Sequence, residues 1–360
     1  AVDTPVVAVD RAIMQRNIET MASLAQGYGV SLRPHAKTHK CPQIASMQLA
    51  AGATGVTCAK LGEAEALVDA GAVSDILIAY PIVGASKIER LLAFMARANV
   101  TVALDSREAA TALSNAVAGA GKTLAVFVEV NSGQDRAGAK AGAEAASLAF
   151  DIARLPGLEV TGVMTHEGHA GFSAPEVIAE VAENAGRALV ATADRIRAGG
   201  IPITNVSVGS TPSSWYSPRV PGVTEMRPGT YVFNDNNAFR HGRIGPADCA
   251  ARVIATVVSR PAPDRAILDS GSKALALDLS PSHPGFGYIV GHPTATIVRL
   301  SEEHGVVQLP PDEPGFVVGD RVEIIPNHVC PAVNLTDDLF VVSAGQIVDI
   351  WPVTARGKVR

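Results

Sequence analysis

The stretch Ser31-Leu32-Arg33-Pro34-His35-Ala36-Lys37-Thr38-His39-Lys40 joins the end of a short predicted strand to a dense basic segment. Neighbouring positive charge and desolvation disfavour the ammonium form of a lysine, which leaves more free amine for nucleophilic attack. Lys37 is therefore a candidate for a lysine that forms an imine. A solvated basic loop has the same composition, so the rest of the chain must distinguish the two interpretations.

Short β-rich runs alternate with alanine-rich helical segments through the first two thirds of the chain. Eight successive β-then-α units are typical of a (β/α)8 barrel. A doubly wound sheet also alternates, but no G-x-G-x-x-G fingerprint follows the first strand. The sequence predicts a TIM-type α/β barrel over residues 10–236, with strands at Ser31–Pro34, Gly55–Ala59, Asp75–Tyr80, Val100–Asp105, Leu124–Val130, Glu159–Thr165, Asn205–Gly209 and Glu225–Phe233.

The pattern changes after about Asn237, where short β-rich runs are separated by proline and glycine turns. Such a pattern is typical of an all-β domain. The run Val6–Val9 precedes the first helix and has no place in the barrel. We therefore expect residues 1–9 and 237–360 to form one β domain.

Composition excludes several functional classes. The net charge is −5 and the basic residues form no block beyond the opening segment, which argues against nucleic-acid binding. The apolar runs are too short to cross a membrane. The first residues lack the pattern of a secretion signal, and the four cysteines are irregularly spaced. A cytoplasmic enzyme without a disulfide framework is the expectation.

Residues able to bind a phosphate-bearing carbonyl cofactor follow the predicted strands. In a (β/α)8 barrel the active site lies at the carboxyl ends of the strands. A turn rich in glycine and hydroxyl groups can offer N–H and O–H donors to a phosphate, although many such turns have no ligand. The candidates are Lys37, Arg136, His166, the turn Gly209-Ser210-Thr211, and Gly229 with Tyr231.

Two of these candidates have alternative interpretations. Arg136 could form a surface ion pair with Asp135 or Glu129, or its permanent charge could face an aromatic nitrogen that must stay unprotonated. His166 could be an ordinary histidine at a strand end. A role in stacking on a cofactor or in proton transfer is favoured because His166, Glu167 and His169 cluster within four residues.

The β domain contains a candidate metal site, His328-Val329-Cys330. In an extended segment, residues two apart project to the same side, so imidazole and thiolate could bind one ion. This donor pair suits Zn²⁺ better than Mg²⁺ or Ca²⁺. Two protein ligands would leave positions open for water and substrate. A buried cysteine that only packs is the alternative.

Over nearly its whole length the chain resembles the fold-type III pyridoxal-phosphate enzymes of the D-threonine aldolase and D-serine dehydratase group. Arg33-Pro34-His35-x-Lys37 resembles the lysine motif of this group, which implies that Lys37 binds the cofactor covalently. The resemblance places Arg136 opposite the pyridine nitrogen. It also assigns a phosphate site to Gly209, Ser210, Thr211, Gly229 and Tyr231, and a divalent metal site, for zinc or manganese, to His328 and Cys330.

The resemblance implies a lyase that acts on D-3-hydroxy-α-amino acids and works as a homodimer. The tail Val348–Gly357 is similar to D-threonine aldolases, which cleave their substrate to glycine and an aldehyde. Thr165-His166-x-Gly168 and the His-x-Cys pair are more similar to D-serine and 3-hydroxyaspartate dehydratases, which form an oxo-acid and ammonia. An amino-acid racemase and a non-catalytic pyridoxal-phosphate carrier are also compatible with this resemblance.

Overall fold

The computed structural model describes residues 2–280, 284–311 and 315–360. The chain divides into two compact units. The first, called the barrel unit below, comprises Thr20–Lys37, Pro42–Gly229 and Gly357–Arg360. The second, called the β unit, comprises Ala1–Glu19, Thr38–Cys41 and Thr230–Arg356.

Eight parallel strands form the barrel unit, with helices in the connections between them. Buried Leu77, Ala103, Phe127 and Met164 from four neighbouring strands pack together inside the sheet. This arrangement confirms the predicted fold class. In spatial order the strands are Ser31–Leu32, Glu225–Met226, Asn205–Val208, Leu158–Met164, Leu124–Asn131, Asn99–Leu104, Asp75–Ile78 and Val56–Cys58, and the short strand Ala139–Lys140 pairs with Leu124–Asn131.

Backbone contacts of the basic segment join the two ends of this sheet. The N–H of Thr57 donates to Pro34 O at 2.8 Å, and His35 and Thr57 form a parallel bridge. On the other side the N–H of His35 donates to Pro228 O at 2.9 Å. The residues that precede Lys37 therefore close the barrel.

Most helices of the barrel unit are amphipathic. In Arg107–Gly119, for example, Ser106 caps the N-terminus by accepting from the N–H of Ala109, and Leu113 and Val117 lie on the buried face. The helix Arg11–Tyr28 begins in the β unit and ends in the barrel unit. The other helices are Pro42–Ala50, Leu61–Asp69, Ala85–Phe94, Ala143–Ala153 and Ile178–Ala198, and the 3-10 turns are Ala36–Thr38, Gly168–Phe172, Pro175–Val177 and Ser217–Arg219.

The β unit is a mostly antiparallel sheet. Val6–Asp10 lies between Ala251–Ala262, with which it pairs antiparallel, and Asp338–Ser343, with which it pairs parallel. The other strands are Arg265–Leu268, Tyr288–Ile289, Thr296–Leu300, Gly305–Gln308, Arg321–Ile325 and Gln346–Pro352; the helices are Ser272–Leu275 and Val329–Asn334, and the 3-10 turns are Thr230–Val232, Asn236–His241 and Pro246–Asp248.

One predicted strand is much shorter than expected. The run Glu225–Phe233 forms a strand only at Glu225–Met226, and a 3-10 turn follows at Thr230–Val232. Pro228 lacks an N–H and cannot continue the ladder, which explains why the strand ends.

No helix within the described ranges is long and apolar enough to cross a lipid bilayer.

The barrel's closing segment also carries a largely buried ion pair. Arg33 Nε donates to Glu225 Oε2 at 2.7 Å, and Arg33 Nη1 pairs with Asp75. Glu225 is 2% exposed, and its other oxygen accepts from Ser207 Oγ at 2.5 Å. The pair links the strand Ser31–Leu32 to two other strands of the barrel.

We predict that Arg33→Leu lowers the free energy of unfolding by about 3 kcal/mol, because it leaves the Glu225 carboxylate buried without this partner. Urea titration at pH 7 measures the change. Arg154→Leu is the control, since Arg154 is 79% exposed and its contact with Asp151 is 3.5 Å long. The control should change stability by about 0.5 kcal/mol or less. Equal losses in the two variants would contradict the prediction.

Candidate active site

A cavity of about 710 Å³ opens at the carboxyl ends of the barrel strands. Three predicted site residues line it together: Lys37, Arg136 and His166. The other charged or titratable residues of the wall are His35, Tyr80, Lys87, Asp105, Glu129 and Arg227. The cavity lies where ligands bind in barrels of this type.

Lys37 lies in the 3-10 turn Ala36–Thr38, just after the residues that close the barrel. Its backbone N–H donates to His35 Nδ1 at 3.4 Å. Within the described ranges, no carboxylate lies within ion-pair distance of the Lys37 amine. The side chain therefore projects its nitrogen into a cavity without an ionic partner, as an imine-forming lysine requires.

Arg136 lies at the edge of the cavity, where its side chain is 56% exposed and 4.0 Å from Glu129 Oε1. Glu129 is nearly buried, and burial raises the pKa of its carboxyl group while the charges of Arg136 and Arg227 oppose this shift. The surface ion pair considered from the sequence is thus present. It does not compete with a cavity role, because the same side chain also lines the cavity.

The deepest cation of the cavity is Arg227, which was not predicted from the sequence. Its side chain is 4% exposed; Nη2 donates to Thr165 O at 2.6 Å and Nη1 donates to Ser207 Oγ. Burial lowers the pKa of Arg227, and nearby carboxylates oppose that shift. The sequence placed Arg227 inside the predicted strand Glu225–Phe233, whereas the structure places it directly after the strand Glu225–Met226, where ligand-binding residues of barrels concentrate.

His166 is uncharged at any physiological pH. Burial and the positive charges of Lys37, Arg136 and Arg227 lower its pKa to about 3. His35 also lines the cavity, and burial together with Lys37 and His166 lowers its pKa well below the ordinary value. Both rings are therefore neutral in a cavity whose charge comes from lysine and arginine.

The turn Gly209-Ser210-Thr211 is held from behind by Glu167, which is completely buried. Its carboxylate accepts from the Gly209 N–H at 2.9 Å and from the hydroxyls of Ser213 and Ser217 at 2.9 and 2.6 Å. A Cβ on Gly209 would lie 3.1 Å from the Arg227 side chain, so the absence of a side chain lets the two approach closely. The turn is rigid and adjoins the deepest cation.

The remaining phosphate candidates fall in different units. The N–H of Gly229 donates to Thr211 Oγ1 at 3.2 Å, so Gly229 lies beside the predicted phosphate turn. Tyr231 belongs to the β unit, where it is buried in the 3-10 turn Thr230–Val232. The contact of Gly229 agrees with a shared phosphate site in the barrel unit.

The candidate metal pair lies in the β unit, but its backbone is not a strand. His328 is extended, whereas Cys330 is in the first turn of the helix Val329–Asn334. The expectation that strand geometry aligns the two side chains was therefore wrong. They nevertheless form a hydrogen bond, because the chain turns into the helix immediately after His328.

Long-range contacts hold each residue of this tripeptide. Asp278 Oδ1 lies 3.3 Å from His328 Nδ1, Asp235 Oδ2 accepts from the Val329 N–H at 3.1 Å, and Cys330 Sγ donates to Thr38 Oγ1 at 3.3 Å. Burial lowers the pKa of His328, but the charges of Cys330 and both aspartates outweigh burial and raise it to about 9. Burial raises the pKa of Asp235 to about 6.

The donors at this position fit a metal site with two protein ligands. Imidazole and thiol side chains are in contact, and this donor pair suits a borderline-soft cation such as Zn²⁺. No group of three or more His, Cys, Asp or Glu side chains with metal-binding geometry occurs among the residues described. A metal held by His328 and Cys330 would therefore need further ligands other than the His, Cys, Asp and Glu side chains of the described residues.

Two family models match the chain in succession. The model of the alanine racemase N-terminal domain matches residues 9–237, and the model of the putative serine dehydratase domain matches residues 250–342. The chain belongs to the alanine racemase-like family of pyridoxal-phosphate enzymes, as its motifs predicted.

Relatives that extend over nearly the whole chain are lyases. A D-threonine aldolase of Arthrobacter sp is 37% identical and covers 99% of this chain and 93% of its own length. A D-threo-3-hydroxyaspartate dehydratase of Delftia sp. is 34% identical, with 91% of each chain covered. These relatives confirm the prediction of a pyridoxal-phosphate-dependent lyase.

Solved structures agree with the curated relatives. The crystal structure of D-threonine aldolase from Filomicrobium marinum has a TM-score of 0.93 at 35% identity and covers 100% of this chain and 97% of its own. A metal-free form of D-threo-3-hydroxyaspartate dehydratase, carrying a cysteine-to-alanine substitution, has a TM-score of 0.90 at 32% identity, with 98% and 97% covered.

The cavity fits the cofactor of this family. It offers a lysine amine without an ionic partner, two guanidinium groups, neutral imidazoles and an adjoining turn rich in hydroxyl groups. Positive charge suits a phosphate-bearing ligand, and uncharged flat rings suit contact with an aromatic one.

Because His166 is neutral in the folded protein, we predict how the free energy of unfolding changes at acid pH. Its pKa is about 3 in the folded protein. Between about pH 6.5 and 3 the unfolded chain binds a proton that the folded chain does not, so stability falls as the pH falls. We expect His166→Gln to remove about 1.4 kcal/mol per pH unit from that slope.

Urea unfolding of the cofactor-free protein at pH 7, 6 and 5 measures this slope. The range from pH 8 to 9 is the internal control, because His166 is neutral in both states there and the stabilities of the variant and the wild type should change in parallel. An unchanged slope below pH 6.5 in the variant would refute the buried neutral state.

Proposed function

We propose that this protein is a pyridoxal-phosphate- and metal-dependent lyase of D-3-hydroxy-α-amino acids, and that it cleaves them by a retro-aldol reaction to glycine and an aldehyde. The main support is the Lys37 amine, which lies without an ionic partner in a cationic cavity. The similarity to D-threonine aldolases over 99% of the chain supports the choice of reaction. We propose further that it works in the cytoplasm as a homodimer.

In this proposal the barrel unit binds the cofactor through several groups. Lys37 would form the covalent link, and Gly209, Ser210, Thr211 and Gly229 would hold the phosphate; Tyr231, the remaining predicted phosphate residue, belongs to the β unit. Arg136 and Arg227 are both candidates for the group that faces the pyridine nitrogen. Arg227 suits that role better, because its guanidinium is buried and held by two hydrogen bonds, whereas Arg136 is 56% exposed.

The bound cofactor supplies an electron sink for negative charge at Cα of an amino acid. A guanidinium does not give up a proton at physiological pH. Arg227 or Arg136 would therefore leave the ring nitrogen unprotonated, and the cofactor would be a weaker electron sink. A neutral His166 can pack against the ring and accept a hydrogen bond. With a pKa of about 3 it is a weak base, so stacking is its better-supported role.

The second cofactor of the proposal is a divalent cation, zinc or manganese, held by His328 and Cys330. A cation of this kind acts as a Lewis acid on oxygen and would supply the charge stabilisation that the weaker electron sink lacks. The relative crystallised in a metal-free form carries a cysteine-to-alanine substitution, which supports a cysteine ligand by analogy.

A dehydratase that forms an oxo-acid and ammonia is the second candidate. Cys330 favours it, because the His-x-Cys pair resembles dehydratases, and the Delftia dehydratase is 34% identical over 91% of this chain. In that reaction Lys37 removes the Cα proton. Aldol cleavage needs no such proton removal, so the two reactions make different demands on Lys37.

The cofactor assignment is tested with Lys37→Ala. We expect the purified variant to lose the visible absorbance of lysine-bound cofactor and its fixation by borohydride. Lys87→Ala is the matched control, since Lys87 is a second lysine of the same cavity wall. The control should retain both signals. An absorbance band that persists in Lys37→Ala and disappears in Lys87→Ala would show that the cofactor is linked to Lys87, and the assignment to Lys37 would be wrong.

The reaction is tested by product analysis. With D-threonine and the metal we expect glycine and acetaldehyde in equal amounts, and only slow release of ammonia from D-serine or D-3-hydroxyaspartate. Dialysis against a chelator should remove most of the activity, and added Zn²⁺ or Mn²⁺ should restore it. If oxo-acid and ammonia are the main products, the protein is a dehydratase and the aldolase proposal is wrong. If the protein racemises its substrate and the chelator does not stop it, the lyase proposal is wrong.

A further inference from the structure

Asp278 contacts the proposed metal ligand His328 at one ring nitrogen. Its Oδ1 atom lies 3.3 Å from His328 Nδ1, and the two side chains are 38% and 37% exposed. A histidine has only two ring nitrogens, and a carboxylate beside Nδ1 accepts a hydrogen bond from the Nδ1–H group. The acceptor lone pair of the neutral ring is then on Nε2.

The segment that carries Asp278 is attached to the metal segment by a second contact. The side-chain amide of Asn327, the residue before His328, donates to Asp278 O at 2.9 Å and to Gly285 O at 2.8 Å. Asn327 is itself held, because Asn236 Nδ2 donates to its side-chain oxygen at 2.7 Å. The backbone of Asp278 is therefore held by Asn327, the residue next to His328, and this contact keeps the Asp278 carboxylate near the imidazole.

We propose that Asp278 is a positioning residue of the metal site, which holds His328 in the tautomer and ring orientation that presents Nε2 to the cation. This inference rests on the proposed metal role of His328 and Cys330. A carboxylate behind a ligating imidazole fixes the ring and makes the free nitrogen more basic. Removal of such a partner costs about 10- to 100-fold in metal affinity.

Other charged groups around His328 have different roles. Asp235 accepts from the N–H groups of Val329, Ala238 and Asn237, so its carboxylate stabilises the backbone. Cys330 contacts the ring as the second donor. Within residues 2–280, 284–311 and 315–360, Asp278 is thus the carboxylate whose hydrogen-bonding contact is with the ring nitrogen itself.

The test is metal affinity rather than turnover. Zn²⁺ is titrated into chelator-treated protein loaded with pyridoxal phosphate, in competition with a chromophoric chelator. We expect Asp278→Ala to weaken binding by about 10- to 100-fold and Asp278→Asn to weaken it less, because the amide oxygen still accepts from Nδ1–H. Asp264→Ala is the control, an exposed carboxylate of the same unit that contacts Gln308, and should bind Zn²⁺ like the wild type.

Cys330→Ala separates this inference from the proposed function. If Cys330→Ala loses Zn²⁺ while Asp278→Ala binds it with wild-type affinity, the positioning role is wrong and the metal site stands. If Cys330→Ala binds Zn²⁺ like the wild type, the metal site itself is wrong. Co²⁺ spectra add a readout of geometry: the thiolate band should persist in Asp278→Ala at saturating metal, and its loss would show that Asp278 acts on more than His328.

Discussion

Closure of the barrel is the constraint on which the active site depends. The strands at the closing seam are short, Ser31–Leu32 and Glu225–Met226, and the last contact is a single bridge between His35 and Thr57. Such a seam gains little from its own ladder, so the buried pair of Arg33 and Glu225 contributes to holding it. Because Lys37 lies two residues after His35, the contacts that close the barrel also fix the position of the Lys37 backbone.

The cavity concentrates positive charge and keeps its histidines neutral. Burial alone would lower the affinity of both imidazoles for a proton, and the nearby lysine and arginines lower it further. A cavity of this kind favours anionic ligands and does not offer imidazolium as an acid. Neither histidine of the cavity is therefore available as an acid in either proposed reaction.

The local sequence pattern predicted most of the fold. The prediction failed where contacts between residues far apart in the sequence determine the structure. Asp75–Ile78, Leu124–Asn131 and Asn205–Val208 begin at the predicted residues and end within two residues of the predicted ends, because short apolar runs bounded by turns are visible in the sequence. The strand expected at Glu225–Phe233 was predicted too long because the apolar composition of the run outweighed Pro228, which ends the strand in the structure. Arg227 was missed for a related reason: burial of a guanidinium beside Thr165 and Ser207 depends on folding and leaves no local pattern.

The proposed metal site shows the same limit more sharply. A spacing of two residues identifies possible donors, but it aligns them only if the backbone is extended, and Cys330 is helical. Their contact arises because Asp235, 94 residues away, holds the N–H between them, and Asp278, 50 residues away, holds the ring. The sequence thus specifies the chemistry of the donors, whereas their geometry follows from contacts that only the folded β unit provides. Residues that support a ligand in this way carry no spacing signal, so they are recognised from the structure.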